Sequence, residues 1–267
     1  MPSLAVSATL QTIARKKPLI HHLTNWVSIN DCAQITRHWG CLPVMAHPIE
    51  EVEEMVSIAS ALVLNMGTLT TEFVDAMSLA GRKANARGIP VVLDVVGAGA
   101  TRFRTEQARR LLDEVHIDFL KGNAGEIATI AGVEAEVRGV ESISVEEEPA
   151  AVARRLASQL HTVVVITGAE DIVSDGQRTW ALAYGHELMG RVVGTGCMSS
   201  STVGCFAAVR GKSLGAAAEA LSAYGWAGER AAAKAAGPGD FVPCFFNEIT
   251  KLAARPGDLM LEAEALS

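Results

Sequence analysis

A glycine-rich tetrapeptide, Gly194-Thr195-Gly196-Cys197, stands directly before a helical pattern and is the feature of the chain best suited to chemistry. Glycines allow a tight turn and a close approach of the backbone to a ligand. The first N–H groups of a helix lack intrahelical partners and carry partial positive charge, so they favour a phosphate or a phosphoryl group in transfer. One such terminus contributes about 0.3–2 kcal/mol, so a metal or a cation must assist. An ordinary glycine-rich turn is the competing interpretation.

The thiol of Cys197 lies in the first turn of this predicted helix. We expect the helix terminus to lower the pKa of the thiol. Cys197 is therefore a candidate to accept the proton of an attacking alcohol, or to line the pocket without reacting. A buried cysteine that serves only as a small apolar residue is the alternative.

Two carboxylates follow neighbouring predicted strands. Asp94 ends one strand, and Glu126 lies just after the next, within Asn123-Ala124-Gly125-Glu126. Ligands of open α/β sheets bind at the carboxyl ends of the strands, and Mg²⁺ takes few carboxylates together with waters and phosphates. We therefore predict that Asp94 and Glu126 share one Mg²⁺ and that Lys121 reaches a nucleotide phosphate. Asn123 and Glu126 also form a capping-box pattern, which stability alone would explain.

Polar or adaptable residues end further strands and suit a small heterocycle. Asn25 can both donate and accept hydrogen bonds, and the segment Asn65-Met66-Gly67-Thr68 is expected to line the same crevice. Met45 offers an adaptable apolar contact. A helix cap is the alternative role for Asn25, and packing in the core is the alternative for Met45.

Short β-rich apolar runs precede these residues and must position them. They do not alternate polar and apolar residues, which predicts strands buried on both faces and helices on each side of the sheet. The predicted strands are Leu19 to His22, Leu42 to Met45, Ala61 to Asn65, Pro90 to Asp94, Ile117 to Lys121 and Thr162 to Thr167. The predicted helices between them are Pro48 to Ile58, Thr71 to Arg87, Thr105 to Val115, Asn123 to Ala131 and Pro149 to Leu160. This alternation predicts an α/β fold with a mostly parallel central sheet flanked by helices on both faces, in a single domain over 1–267.

The pattern changes after Thr167. A short β meander is predicted over Ile172 to Ser174, Arg178 to Tyr184 and Glu187 to Gly190. Three helices then follow, over Cys197 to Val209, Leu214 to Ala236 and Cys244 to Ala254. The segment Arg138 to Glu148 is predicted to be an exposed loop.

Composition excludes several classes of function. The chain has 267 residues, a net charge of -7 and no basic patch, which argues against nucleic acid as a partner. Its five cysteines include no CxxC pair, so neither a disulfide framework nor a zinc site is indicated. The chain contains no apolar run of 18 residues, so no membrane span is predicted. We expect a cytoplasmic protein whose core is built from Ala, Val, Ile and Leu, because aromatic residues make up only 5%.

Together these motifs resemble hydroxyethylthiazole kinase, a branch of the ribokinase-like superfamily. The matching segments run in order along nearly the whole chain: LTNWVSINDCA (23–33), PVMAHPIEEVEEM (43–55), LVLNMGTL (62–69), VVLDVVGAGATRFR (91–104), KGNAGEIA (121–128), VVVITGAEDIVSDG (163–176), GTGCMSSSTVGCFAA (194–208) and GPGDF (237–241). The Met-Ala pair after Pro43-Val44 and the cysteine of Gly-Thr-Gly-Cys are distinctive of this branch, since most ribokinase relatives place an aspartate at the latter position.

The resemblance implies ATP-dependent phosphorylation of the hydroxyethyl alcohol of a thiazole, for thiamine synthesis or salvage, with Mg²⁺ and in a homotrimer whose active sites lie at subunit interfaces. It assigns the anion hole to the N–H groups of Gly194, Thr195, Gly196 and Cys197. Contacts to the thiazole are implied for Asn25, Met45, Gly67 and Gly194. Contacts to ATP are implied for Lys121, Asn123 and Thr167, and Mg²⁺ is placed near Asp94 and Glu126.

Three positions depart from the family pattern, and three rival functions stay open. The family commonly has arginine at Lys121, proline at Val95 and serine at Asp240. Lysine keeps the charge but loses the planar fork of arginine. The rivals are another small-molecule kinase of the superfamily, a nucleotide-dependent dehydratase of damaged nicotinamide cofactors, and a thiazole-binding protein without catalysis. Cys197 and Met45 count against the first rival.

Overall fold

The structure, a computed structural model, describes residues 2–133, 135–138, 141–145, 147–257 and 259–266, without the side chains of 135–138 and 141–145. The strands are β1 (Ser3–Leu4), β2 (Leu19–Leu23), β3 (Leu42–Val44), β4 (Ala61–Asn65), β5 (Val91–Asp94), β6 (Phe119–Asn123), β7 (Ala135–Arg138), β8 (Glu141–Val145), β9 (Val163–Thr167), β10 (Asp171–Ser174), β11 (Thr179–Leu182), β12 (Leu261–Glu262) and β13 (Glu264–Leu266). The helices are α1 (Val6–Lys16), α2 (Ile29–His38), α3 (Val52–Ile58), α4 (Thr71–Arg87), α5 (Arg102–Glu114), α6 (Ala124–Ile130), α7 (Pro149–Leu160), α8 (Glu187–Gly190), α9 (Thr195–Arg210), α10 (Leu214–Ala232) and α11 (Pro238–Ala254).

The central sheet is mostly parallel, as the sequence predicts. Within the described ranges it has nine strands in the order β13-β11-β10-β9-β6-β5-β4-β2-β3. The strands from β3 to β9 pair in parallel, and β10, β11 and β13 add an antiparallel edge. All the predicted parallel strands are therefore present, and their carboxyl ends meet at one edge.

The parallel strands are buried on both faces. In β4, Ala61 and Val63 belong to an apolar cluster that includes residues of α1, α2, α9, α10 and α11, whereas Leu62 and Leu64 belong to a cluster with residues of α3, α4, α5 and α7. Side chains of a strand alternate between its faces, so an unbroken apolar run fills both layers. This arrangement confirms the prediction of helices on each side of the sheet.

Helix α9 lies directly against the centre of the sheet. A Cβ atom built on Gly204 would stand 2.6 Å from Cγ2 of Val63, so only glycine allows this approach. The close packing fixes the axis of α9 across β4. Its N-terminus, which carries the glycine-rich tetrapeptide, then opens at the carboxyl edge of the strands.

Two predicted elements are wrong. The sequence predicts a strand over Glu187–Gly190, but this segment forms the short helix α8, because His186 caps it with a ring nitrogen that accepts the N–H of Leu188 at 3.2 Å. The outer neighbour of β11 is β13 instead, from the far end of the chain. Part of the predicted loop Arg138 to Glu148 is also ordered as a strand, since β8 pairs antiparallel with β7. None of the helices in the described part of the chain is long and apolar enough to cross a membrane.

Candidate active site

The register of the sheet brings the predicted site residues to one edge. Asn65 lies opposite Asp94, Asp94 lies opposite Lys121, and Asn123 lies opposite Thr167 in neighbouring parallel strands. Because the strands run in the same direction, all of these side chains come from the carboxyl half of the sheet, where open α/β folds bind ligands. The predicted convergence of phosphate, metal and substrate residues is therefore a property of the fold.

The turn that begins α9 is held from several sides. Gly194 is its N-cap with φ 94°, a left-handed conformation that favours glycine. The hydroxyl of Tyr224 donates to the carbonyl of Thr195 at 2.7 Å, and Thr195 Oγ1 donates to the carbonyl of Met189 at 2.8 Å. These bonds fix the backbone of the turn, so the orphan N–H groups that follow are already in place for an anion.

Lys121 lies beneath this turn. Its Nζ donates to the carbonyl of Gly196 at 2.9 Å and lies 3.3 Å from Asp94 Oδ2. Although burial acts to lower the pKa of Lys121, the negative groups around it, Asp94 first, hold that pKa above its ordinary value. The ammonium is thus a fixed positive charge directly behind the start of α9.

Asp94 is fully buried and its two oxygens differ. Oδ2 accepts hydrogen bonds from Asn65 Nδ2 at 2.9 Å and from Ser200 Oγ at 2.6 Å, besides the contact with Lys121. Oδ1 has no hydrogen-bond partner among the described residues. A buried oxygen of this kind is costly unless a ligand uses it, so Oδ1 is suited to a cation or to one of its waters.

Glu126 supplies the second carboxylate. Oε1 accepts the N–H of Gly97 and Oε2 accepts the N–H of Asn123, both at 2.7 Å, while Asn123 Oδ1 accepts the N–H of Glu126 at 2.9 Å. The predicted capping box is therefore present. Burial, and next the charge of Asp94, raise the pKa of Glu126 to about 7.

Asp94 and Glu126 suit Mg²⁺, which needs few protein ligands, better than a metal whose ligands all come from protein side chains. No group of three or more His, Cys, Asp or Glu side chains in the described ranges is arranged to hold a metal ion. Mg²⁺ needs only one or two carboxylates, because waters and phosphate oxygens complete its octahedron. The unpartnered oxygen of Asp94 beside the buried carboxylate of Glu126 matches that requirement.

Asn25 and Cys197 meet on the other side of the α9 turn. Asn25 Nδ2 lies 3.3 Å from Cys197 Sγ and 2.8 Å from Asn65 Oδ1. Asn25 Oδ1 accepts the N–H groups of Val27 and Ser28, which fixes the direction of the amide. Asn25 therefore presents an N–H group to the sulfur atom.

The expected lowering of the pKa of Cys197 is wrong. Burial, and next the charge of Asp94, raise the pKa of this thiol, although Ser28, Lys121 and Asn25 act in the opposite direction. A helix terminus stabilises charge only modestly, whereas desolvation of a buried group is the larger effect here.

The loops that carry Met45 and Gly67 complete this side. Gly67 donates its N–H to Asn65 Oδ1 at 2.9 Å, and a Cβ atom on it would lie 2.7 Å from the Cβ of Asn25. The residue after Met45 accepts a hydrogen bond from the His21 ring through its carbonyl at 2.7 Å. Asn25 and Gly67, two of the predicted thiazole residues, therefore pack against each other, with no room for a side chain at position 67, while Met45 follows the edge strand β3, which pairs with β2.

A cavity of about 820 Å³ opens on the opposite side of the same turn. Its lining includes Asn123, Thr167, Thr195 and Gly196, but none of the predicted thiazole residues. Its volume suits a ligand of nucleotide size. Two of the three predicted ATP residues, Asn123 and Thr167, therefore border this cavity, whereas Lys121 lies beneath the α9 turn and is not part of the lining.

Three residues of this site carry more than the sequence indicated. Asn65 was expected only to line the crevice, yet its amide joins Asn25 to Asp94. Ser200 is not among the predicted site residues, yet its hydroxyl donates to Asp94 Oδ2, and its position one turn into α9 is a signal for a side chain that faces the sheet. Asp171 borders the cavity, and burial raises its pKa to about 7.

Comparison with known proteins gives a consistent result. A family model described as the hydroxyethylthiazole kinase family matches residues 10–255. A hydroxyethylthiazole kinase from Methanosarcina acetivorans is 55% identical over 244 residues, which cover 91% of this chain and 94% of that protein. The solved structure of a hydroxyethylthiazole kinase protein from Pyrococcus horikoshii OT3 is similar with a TM-score of 0.86 and 38% identity, over 98% of this chain and 99% of that one. A ribokinase-like superfamily protein from Enterococcus faecalis, at 13% identity and a TM-score of 0.62 over 96% of this chain and 92% of that one, shares the fold alone. The predicted ribokinase-like fold is confirmed.

Proposed function

The chain belongs to the hydroxyethylthiazole kinase family, and we propose that it transfers the γ-phosphoryl group of ATP to the hydroxyethyl oxygen of its thiazole substrate. A bond forms between that oxygen and the γ-phosphorus while the bond from phosphorus to the β-γ bridging oxygen breaks. The alcohol loses its proton, and the products are the thiazole phosphate and ADP. The thiazole phosphate is the form that serves thiamine synthesis or salvage.

The observation that carries this proposal is the position of the α9 turn between two different surroundings. Thr195 and Gly196 border the nucleotide-sized cavity, and Cys197 lies against Asn25 on the other side. A phosphoryl group that passes from one side to the other would cross the orphan N–H groups at the start of α9. Positioning and electrostatic stabilisation of this kind are the main contributions of a protein to phosphoryl transfer.

Charged residues supply the rest of the electrostatics. The Lys121 ammonium lies behind the turn, where it adds positive charge to that of the helix terminus. Asp94 and Glu126 would hold Mg²⁺, which when bound neutralises phosphate charge and orients the nucleotide. Asn123 and Thr167 would contact the nucleotide from the lining of the cavity. Asn25, Met45, Gly67 and Gly194 would surround the thiazole.

Cys197 would contact the alcohol as a neutral thiol, and the proton of the alcohol would pass late in the transfer to an oxygen of the transferred phosphoryl group or to water. Its raised pKa means that the resting group is the thiol, which already carries its own proton and is not a base for the alcohol. In a loose transition state the acceptor oxygen needs little deprotonation until the new bond is well formed. The role of a base at this position is therefore small and measurable.

We further propose a cytoplasmic homotrimer, with one domain per chain and the active sites at subunit interfaces. Large apolar side chains are exposed beside the thiazole residues: Trp26 and Val27 follow Asn25, and Val193 precedes Gly194, with exposed fractions of 59%, 67% and 77%. Exposed apolar residues grouped at a site are typical of a contact surface. Sedimentation equilibrium of the parent tests the assembly, and a monomer at micromolar concentration would contradict it.

The reaction is tested by ADP release with Mg-ATP against hydroxyethylthiazole, hydroxymethylpyrimidine, pyridoxal and ribose. We expect strong release with the thiazole alone. Asp94→Asn should abolish most of that release, whereas Asp113→Asn, the same change at an exposed position on α5, should leave it intact. Release only with another alcohol would contradict the thiazole assignment, and no release with any of them would favour a dehydratase or a binding protein.

The role of Cys197 is tested by two substitutions. Cys197→Asp should retain or raise kcat, because a carboxylate can accept the proton, and Cys197→Ala should lower it. Cys244→Ala, at a partly exposed cysteine on α11, is the matched control. Equal kcat in the parent and both Cys197 variants would show that no base is needed at this position.

A further inference from the structure

Arg104, in the first turn of α5, binds the backbone of two separate loops. Its Nη1 donates to the carbonyl of Met66 at 2.8 Å and to the carbonyl of Val96 at 3.0 Å. Its Nη2 donates to the carbonyl of Gly67 at 2.8 Å. One planar guanidinium group therefore joins the loop after β4 to the loop after β5.

The two loops belong to different halves of the site. Gly67 is one of the residues proposed to contact the thiazole, and it packs against Asn25. Val96 follows Asp94 and Val95, and the next residue, Gly97, donates its N–H to Glu126. A Cβ atom on Gly97 would lie 3.0 Å from Cδ of Arg104, so the side chain passes closely over this loop. Arg104 thus spans from the thiazole side to the carboxylate side.

Both loops are tied to the site through their N–H groups, whereas Arg104 binds their carbonyls. The loop after β5 has other ties, because Val95 donates its N–H to the carbonyl of Lys121 at 3.0 Å and Gly97 binds Glu126. The described hydrogen bonds to the carbonyls of Met66 and Gly67 come from Arg104. The N–H groups of the Gly67 loop have ties of their own, since Met66 donates to the carbonyl of Asp94 at 3.1 Å and Gly67 donates to Asn65 Oδ1 at 2.9 Å. Loss of the guanidinium group would therefore leave the carbonyls of Met66 and Gly67 without their described donor and loosen that side of the loop.

We propose that Arg104 is a positioning residue that holds the Gly67 loop in place for the thiazole by anchoring it to the loop that follows Asp94. The proposal rests on the assignment of the thiazole to this side of the site. The rigid fork of arginine suits three carbonyl acceptors in two loops, whereas lysine has a single flexible ammonium group. The guanidinium group is engaged by protein carbonyls, so its role is distinct from phosphate binding.

Calorimetric titration of hydroxyethylthiazole, without nucleotide, into the parent, Arg104→Ala and Arg104→Lys tests the proposal. We expect the Kd and the KM for the thiazole to rise by about 10-fold in Arg104→Ala, which corresponds to a loss of about 1.4 kcal/mol of binding free energy. Arg104→Lys should also bind the thiazole more weakly, and the KM for ATP should change less in both. Guanidinium ion at millimolar concentration should restore part of the affinity of Arg104→Ala.

Arg102→Ala is the matched control, because Arg102 lies in the same turn of α5 but pairs only with exposed Glu106 among the described residues. Thiazole affinity that is unchanged in a folded Arg104→Ala or Arg104→Lys would overturn the proposal, as would equal losses in Arg102→Ala. If Arg104→Ala does not fold, the charge-retaining Arg104→Lys decides the matter alone. A parent that does not bind the thiazole would overturn the proposed function together with this inference, whereas a binding parent with unaffected variants would overturn the inference only.

Discussion

Replacing Asn65 by leucine should destabilise the protein measurably, because the amide of Asn65 joins three parts of the site. Its Nδ2 donates to Asp94, and its Oδ1 accepts from both Asn25 Nδ2 and the N–H of Gly67. Leucine has a similar shape and no polar atom, so all three bonds are lost in a residue that is 1% exposed. The variant therefore isolates the hydrogen bonds from the gross packing.

The three partners are not affected equally. Asp94 keeps Lys121 and Ser200, and Asn25 Nδ2 keeps Ser28 Oγ and the sulfur of Cys197. The N–H of Gly67 loses its described acceptor, which costs about 1–3 kcal/mol, and the two shared bonds add about 1 kcal/mol each. We expect a total loss of about 3–5 kcal/mol in the free energy of unfolding.

Urea denaturation and thermal melting measure this loss. With an unfolding entropy of about 2.1 cal/mol/K per residue, a loss of about 3 kcal/mol corresponds to a fall of about 5 °C in Tm for a chain of this length. Asn85→Leu is the matched control, because the Asn85 amide also makes two bonds, to the backbone of His116, but at a site where water can replace them. An Asn65→Leu variant within about 0.5 kcal/mol of the parent would refute the reasoning, since that is the scatter of independent surface substitutions.

Three further outcomes are expected. Lys121→Met should lower the free energy of unfolding, measured by urea denaturation, by about 3–5 kcal/mol, because the buried carboxylate of Asp94 loses its cation. Arg102→Met is the control and should have no measurable effect, because it removes an exposed ion pair. Burial raises the pKa of Asp171 to about 7, so this carboxyl, which borders the cavity, gains a negative charge as the pH rises through 7. Because the pKa of Glu126 is also raised to about 7, the parent is compared with Asp171→Asn: nucleotide affinity, measured by calorimetry, should fall more, or rise less, through pH 7 in the parent than in the variant. Burial lowers the pKa of His22 from 6.5 to about 3, so below pH 6.5 the unfolded chain binds a proton that the folded chain does not. Between pH 7 and 5 the parent should therefore lose about 2 kcal/mol more stability than His22→Gln in denaturant titrations. Equal losses in the two proteins would contradict a neutral, buried His22.

Local sequence patterns predict the parallel half of the fold well. The run Ala61–Asn65 and the segment Thr71–Arg87 appear with the predicted bounds, because an unbroken apolar run and a capped amphipathic helix are each decided by their own residues. Asn123 and Glu126 form the predicted capping box for the same reason. Parallel strands end at the same edge of the sheet, so the meeting of Asp94 and Lys121 at that edge could be predicted without knowledge of their side-chain contacts.

Partners distant in sequence decide what could not be predicted. The partner of β11 at the sheet edge is β13, more than 80 residues further along the chain, so the meander pattern alone could not exclude Glu187–Gly190 as a strand. The amide of Asn25 and the sulfur of Cys197 are 172 residues apart in sequence. The bridging role of Asn65 and the two-loop contact of Arg104 likewise arise only after the sheet has formed. Secondary-structure propensity is set by neighbouring residues in the sequence, whereas the hydrogen-bond partners of buried polar groups can come from any part of the chain.

Two opposite effects act on the pKa of the Cys197 thiol, the helix terminus and burial, and their sizes decide the outcome. A helix terminus favours a charged group by about 0.3–2 kcal/mol, which corresponds to at most about 1.5 units of pKa. Burial shifts the pKa toward the neutral form, by up to about 3–5 units when a group is fully buried, so even partial burial can outweigh the helix terminus. Cys197 is partly buried beside Asn25 and Ser28 at the start of α9, and the charge of Asp94 acts in the same direction as burial. The neutral thiol is therefore the resting state. A neutral group in this place repels neither ATP nor a phosphoryl group in transfer. A cysteine at the anion hole therefore favours binding of the anion over early removal of the proton from the alcohol.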